Sequence, residues 1–168
     1  DARGFFFESW NQRLFDEAVG RPVTFVQDNH SRSAKGVLRG LHFAVGEGSS
    51  KLVRCGRGTI VDVIVDLRAG SPTYGRWEAH ELTDATMQVL YVPVGFAHGF
   101  CVTSDIADVL YKQSSYYDGS VERGIAWDDP DVGVQWPLPR EEISVSQRDI
   151  EAPRLSEIAD ELPFRYAG

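Results

Sequence analysis

From Thr24 to Lys112 the chain alternates between short runs of strand-forming residues and turn-forming separators, and this alternation leaves few folds open. The runs are Thr24 to Gln27, Val37 to Phe43, Lys51 to Cys55, Thr59 to Leu67, Trp77 to Leu82, Val89 to Val92, Gly99 to Val102 and Ala107 to Lys112. Between them stand Gly46-Glu47-Gly48-Ser49-Ser50, Gly56-Arg57-Gly58, Ala69-Gly70-Ser71-Pro72 and Pro93-Val94-Gly95, residues that supply the backbone angles of tight turns. Strands this short at this spacing suit an antiparallel sandwich or barrel, so the expectation is an all-β fold of eight strands, a double-sheet jelly roll. One helix precedes it. Ser9 is placed to cap it, Gln12 takes the capping-box position, Trp10, Leu14, Phe15 and Ala18 form an apolar stripe, and Gly20 ends it. After Tyr117 the chain turns polar and rich in Pro and Asp, and an amphipathic turn or helix from Leu155 to Leu162 closes it.

With 168 residues, 42% of them hydrophobic, the chain supports one well-packed domain spanning 1–168. No apolar run approaches the roughly 20 residues that cross a bilayer, and the first residues lack the pattern of a secretory signal, so no membrane association and a cytoplasmic location are expected. Cys55 and Cys101 lie in apolar stretches and read as reduced core thiols. Acidic residues outnumber basic ones by 25 to 17; the net charge of −8 argues against nucleic acid as a partner. It does not exclude a small phosphorylated ligand, because a few converging arginines act locally while distant charges are screened within about 10 Å.

One stretch departs from apolar strand composition in an informative way. Arg39 and His42 sit within Val37-Leu38-Arg39-Gly40-Leu41-His42, and Lys51 opens the next strand. Two cations flanking a titratable base suit an anionic substrate that must lose a proton. Further on, Pro93-Val94-Gly95-Phe96-Ala97-His98-Gly99 has the P-x-G-x-x-H form of the second motif of the cupins, which are small jelly rolls. Metal-binding cupins add a His pair and a Glu from a first motif, whereas the corresponding strand here offers His42 alone. With four histidines in all, no metal site and no cofactor are expected.

At this point the chain resembles the dTDP-4-dehydrorhamnose 3,5-epimerase family, metal-free cupins that invert two carbons of a nucleotide-linked 4-keto sugar. The matching motifs are Asp1-Ala2-Arg3-Gly4-Phe5-Phe6-Phe7-Glu8, Gln27-Asp28-Asn29-His30-Ser31, Gly36 to His42, Asp62 to Asp66 with Arg68 and Gly70-Ser71-Pro72, Gly95-Phe96-Ala97-His98-Gly99-Phe100, and Ser146-Gln147-Arg148-Asp149. Family members carry a strand before the first motif, which implies that this N-terminal strand is missing from the chain.

Epimerisation beside a ketone needs a base on one face, a stabiliser for the enolate oxygen, and a proton donor on the other face. His42 suits the base, with an ordinary pKa of about 6.5. The resemblance makes Asp149 the carboxylate that fixes its tautomer, Lys51 the partner of the enolate oxygen and Tyr111 the opposing acid, with His98 lining the same pocket. It further implies that Arg3, Phe6 and Glu8 hold the deoxythymidine end, that Gln27, Asn29 and Arg39 contact the diphosphate and sugar, and that Tyr117 packs on the ligand. The N-terminal part is expected to cross to a partner subunit, giving a homodimer. The resulting reading is epimerisation at C3 and C5 of dTDP-4-dehydro-6-deoxy-D-glucose, giving dTDP-4-dehydro-L-rhamnose. A single-centre epimerase and a non-catalytic sugar-nucleotide-binding cupin are the alternatives. Strand parity raises one difficulty: in a regular strand Arg39 and His42 point to opposite faces. Gly40 permits the bulge that would bring both into one pocket.

Overall fold

The computed structural model describes residues 1–167 and is mostly β. Helix α1 spans Gln12–Val19; among the described residues nine strands follow: β1 Gln27–Ala34, β2 Leu38–Ala44, β3 Lys51–Arg57, β4 Thr59–Asp66, β5 Trp77–Thr83, β6 Val89–Val92, β7 Phe96–Val102, β8 Ile106–Gln113 and β9 Glu122–Gly124. Two one-turn helices, α2 at Gln147–Ile150 and α3 at Leu155–Ile158, lie in the tail. The strands form two antiparallel sheets ordered β1-β8-β3-β6 and β5-β4-β7-β2-β9, the jelly roll that the spacing of turns predicts.

The sequence reading differs from the structure in three places. The first strand is Gln27–Ala34, not Thr24 to Gln27; it is polar along almost its whole length and is held by residue-for-residue pairing with β8. Strand β9 is only three residues long and is held by pairing with β2, His42 opposite Gly124 and Ala44 opposite Glu122. The cap of α1 is Asn11, whose Oδ1 accepts the Leu14 N–H at 3.3 Å, and not Ser9. Gly20 ends the helix at φ 77°, donating its N–H to the Asp16 carbonyl.

Alternation along the strands divides each sheet into an inner and an outer face. Val53 and Cys55 of β3, Ala107 and Val109 of β8, Ile60 and Ile64 of β4 and Phe100 of β7 fill the space between the sheets. The outer face of the five-stranded sheet, with Leu41, Phe43, Val63 and Val65, is covered by the polar-looking tail, which inserts Leu155, Leu162 and Phe164. Trp10, Phe15 and Phe25 pack with Tyr91 on the outer face of the other sheet, with ring centroids 5.2 to 5.4 Å apart. Among the described residues no helix is long and apolar enough to cross a membrane.

Candidate functional site

The register of the four-stranded sheet shows why one end of the inner space is polar. Lys51 pairs with Gln113, which pairs with Gln27; one row further along, Val53 pairs with Tyr111, which pairs with Asn29. Paired residues of antiparallel strands point to the same side, so Gln27, Asn29, Lys51, Tyr111 and Gln113 share the inner face. Gln27 is fixed there through both ends of its amide, which donates to Asn29 Oδ1 at 2.9 Å and accepts the Tyr117 N–H at 2.8 Å. Apolar packing ceases at this end, and a cavity of about 490 Å³ takes its place.

The five-stranded sheet supplies the opposite wall. Between β2 and β7, Arg39 pairs with Phe100 and His42 with His98, so three steps on β2 match two on β7. The extra residue is the bulge that Gly40 permits, and it turns Arg39 and His42 to the same side. Gly40 has φ 126°, and a Cβ there would lie 2.5 Å from the Gly99 Cα, so the two backbones touch. Arg39 accordingly lines the cavity with His42, its Nε donating to Ser33 Oγ on β1 at 3.1 Å.

Two His–carboxylate pairs converge on this wall. His42 Nε2 lies 2.6 Å from Asp149 Oδ1, a contact between residues 107 positions apart. Asp149 sits in the first turn of α2, where the capping Ser146 Oγ accepts its backbone N–H. Burial alone would push the Asp149 carboxyl up, but hydrogen bonds from His42, Ser146 and the Gly40 N–H outweigh that and hold it below its ordinary value. His98 Nε2 lies 2.9 Å from Asp62 Oδ2, and Asp62 Oδ1 is buried with no partner among the described residues. Both cavity histidines thus direct Nε2 at a carboxylate, and among the described residues no three His, Cys, Asp or Glu side chains gather as a metal site.

Lys51 is 8% exposed and makes no side-chain hydrogen bond or ion pair with the described residues. Burial lowers its pKa, while Glu122 and Asp62 pull it back up. Its Nζ stands 6.0 Å from the centroid of the Tyr111 ring. Burial pushes the Tyr111 phenol up, Glu122 adds to this, and Arg39 opposes it, so the hydroxyl keeps its proton at neutral pH. A buried ammonium without a protein acceptor is costly unless a ligand oxygen completes it.

The structure therefore gathers Arg39, His42, Lys51, His98, Tyr111, Tyr117 and Asp149 around one cavity, with Gln27 and Asn29 on the same inner face. It does not bring Arg3, Phe6 or Glu8 there. Arg3 pairs with Asp1 at 2.5 Å, Glu8 accepts from Asn11 at 3.1 Å, and Phe6 is fully exposed. Two residues of the site were given no role by sequence reasoning. Glu122 lines the cavity from a polar stretch that carries no local signal, while Arg148, quoted within a matching motif, lines it beside Asp149. Asp62 was findable, since a lone carboxylate within Ile60 to Val65 is a buried charge in want of a partner.

A family model described as dTDP-4-dehydrorhamnose 3,5-epimerase matches residues 1–157. The chain belongs to this family. A dTDP-4-dehydrorhamnose 3,5-epimerase from Pseudomonas aeruginosa is 54% identical over 138 residues, covering 82% of this chain and 76% of the relative. One from Salmonella typhimurium is 50% identical over 161 residues, covering 94% and 86%. The crystal structure of the dTDP-6-deoxy-D-glucose-3,5-epimerase from Legionella pneumophila in complex with dTDP-4-keto-L-rhamnose superposes with a TM-score of 0.95 at 43% identity, covering all of this chain and 89% of that one. Family members are isomerases, and the cupin jelly roll found here is their fold.

Proposed function

We propose that this protein epimerises C3 and C5 of dTDP-4-dehydro-6-deoxy-D-glucose, and that the observation carrying the reading is the placement of His42 and Tyr111 on facing sheets with Lys51 beside them. Packed sheets stand about 10 Å apart, a slot for a flat sugar ring. A base on one sheet then reaches one face of the ring and an acid on the other sheet reaches the opposite face, which is the geometry inversion requires.

His42 takes the proton from the carbon next to the ketone, and Asp149 stabilises the imidazolium so formed. The electron pair moves onto the C4 oxygen, where the buried Lys51 meets the developing negative charge. Tyr111 delivers its phenolic proton to the other face and the ketone re-forms. Because C3 and C5 flank the same carbonyl, one Lys51 serves both. Arg39, Gln27 and Asn29 suit the diphosphate and sugar, since a guanidinium bonds phosphate in bidentate fashion.

The exposed Phe5 and Phe6, with Arg3 and Glu8, fit a composite site in which this arm reaches the thymidine held by a second copy, so a homodimer is part of the proposal. Two unpaired buried cysteines are consistent with a cytoplasmic enzyme. The deciding experiment is turnover of the 4-keto sugar nucleotide in heavy water, followed by NMR. Deuterium at C3 and C5 is expected. Label at one carbon only replaces the reading with single-centre epimerisation, and label at neither removes catalysis.

A further inference from the structure

Gln113 lines the cavity and has no part in the chemistry above. It is 7% exposed, and its register sets it between two residues already placed there: it pairs with Gln27 of β1 on one side and with Lys51 of β3 on the other. The two glutamines use their amides differently. Gln27 commits Nε2 to Asn29 at 2.9 Å and Oε1 to the Tyr117 N–H at 2.8 Å. Gln113 directs Nε2 at the Ser115 carbonyl at 3.5 Å, the outer limit of a hydrogen bond, and its Oε1 accepts from no protein donor among the described residues.

A buried amide acceptor without a donor is costly unless a ligand supplies one. Lys51 has the opposite want, a buried ammonium without a protein acceptor. Opposed side chains of an antiparallel pair stand about 5 Å apart at Cβ, so a donor and an acceptor, both open, line the cavity side by side. A ligand that completes both carries an acceptor oxygen and a hydroxyl on adjacent carbons. Of the two carbons flanking the C4 ketone, C3 bears a hydroxyl, whereas C5 bears a methyl group and the ring oxygen and has no O–H to donate.

We propose that Gln113 reads the C3 hydroxyl of the sugar. With Lys51 on the C4 oxygen, Gln113 Oε1 accepts the O–H of C3, and the ring is seated with its C3 edge against the amide. A ring turned over would set a methyl group there and leave Oε1 unpaired. Gln113 is thus a specificity-determining residue, and its assignment rests on the reading above in which Lys51 meets the C4 oxygen.

The test compares the parent 4-keto sugar nucleotide with its 3-deoxy analogue, in wild-type protein and in Gln113→Leu, by kcat/KM for deuterium uptake beside the ketone. A site built to bond a hydroxyl rejects the analogue that lacks it, whereas leucine has no acceptor to leave unpaired. The wild-type preference for the parent sugar should fall by about tenfold or more in Gln113→Leu. The effect of the missing oxygen on C–H acidity is common to both proteins and cancels. A residue that merely packs would lower uptake from both sugars alike, so an undiminished preference in a folded variant overturns the proposal. Gln113→Met, unbranched and of similar length, answers the same question if the leucine variant does not fold. Wild-type protein that takes up no deuterium from the parent sugar, or Lys51→Ala that does so at the wild-type rate, overturns the underlying reading instead.

Discussion

The two His–Asp pairs use the same side chains and nearly the same spacing, yet the fold gives them different surroundings. His98 and Asp62 belong to neighbouring strands of one sheet, are 6% and 0% exposed, and leave Asp62 Oδ1 without a partner. His42 and Asp149 join a strand to a tail helix, and the His42 side chain is 24% exposed against 7% for that of His98. The first pair is placed like a packing element that also touches the cavity, and the second like a group that must gain and lose protons. Solvent reach and mechanical anchoring, rather than the contact itself, separate a base from a support.

The largest expected effect is on the reactive side of that comparison. His42→Ala should reduce deuterium exchange at both sugar carbons by about 10³-fold, within the range general-base catalysis supplies; exchange at the wild-type rate would move the base elsewhere. Asp149→Asn comes next, lowering kcat by roughly 10²-fold with KM little changed, because the amide cannot stabilise the imidazolium. Equal loss in Asp62→Asn would erase the distinction between the pairs. Stability should rank them the other way. His98→Leu leaves a fully buried carboxylate unpaired and should cost about 3 kcal/mol in urea unfolding, more than His42→Ala costs. A gentler test is the acid limb of stability. Asp149 is held below its ordinary value and the Asp108 carboxylate is lowered to about 2 by its hydrogen bond with Arg32. Carboxyls depressed in the folded state bind fewer protons there than when unfolded, so their contribution is present above pH about 4 and is lost as pH falls toward 2. Urea midpoints should drop across that window, and Asp149→Asn should flatten the drop.

Where hydrophobic alternation drives burial, the fold was legible. Strands β2 to β8 lie close to their expected places, and Val89–Val92 matches residue for residue. Strand β1 was misplaced because Gln27 to Ser33 is polar on both faces, which removes the alternation by which a half-buried strand is recognised. The site divides in the same way. His42 and Lys51 stood out as polar groups in apolar runs, whereas Asp149 sits in a polar tail, and only the fold closes the 107 residues between it and His42. Glu122 was invisible because three-residue β9 has no periodicity of its own.

The contact between Gly40 and Gly99 has a consequence for how this sequence can vary. Each position forbids a side chain because of the other's backbone: a Cβ on Gly40 meets Gly99 Cα at 2.5 Å, and a Cβ on Gly99 meets the Arg39 carbonyl at 2.7 Å. Relieving one alone gains nothing, so the two are locked together as a pair, and every single-step replacement at either shifts the strand that carries both Arg39 and His42. A library randomised at positions 40 and 99 and selected only for a folded, dTDP-binding protein should return glycine at both, so that the nucleotide handle and the proton-abstracting ring are inherited as one unit.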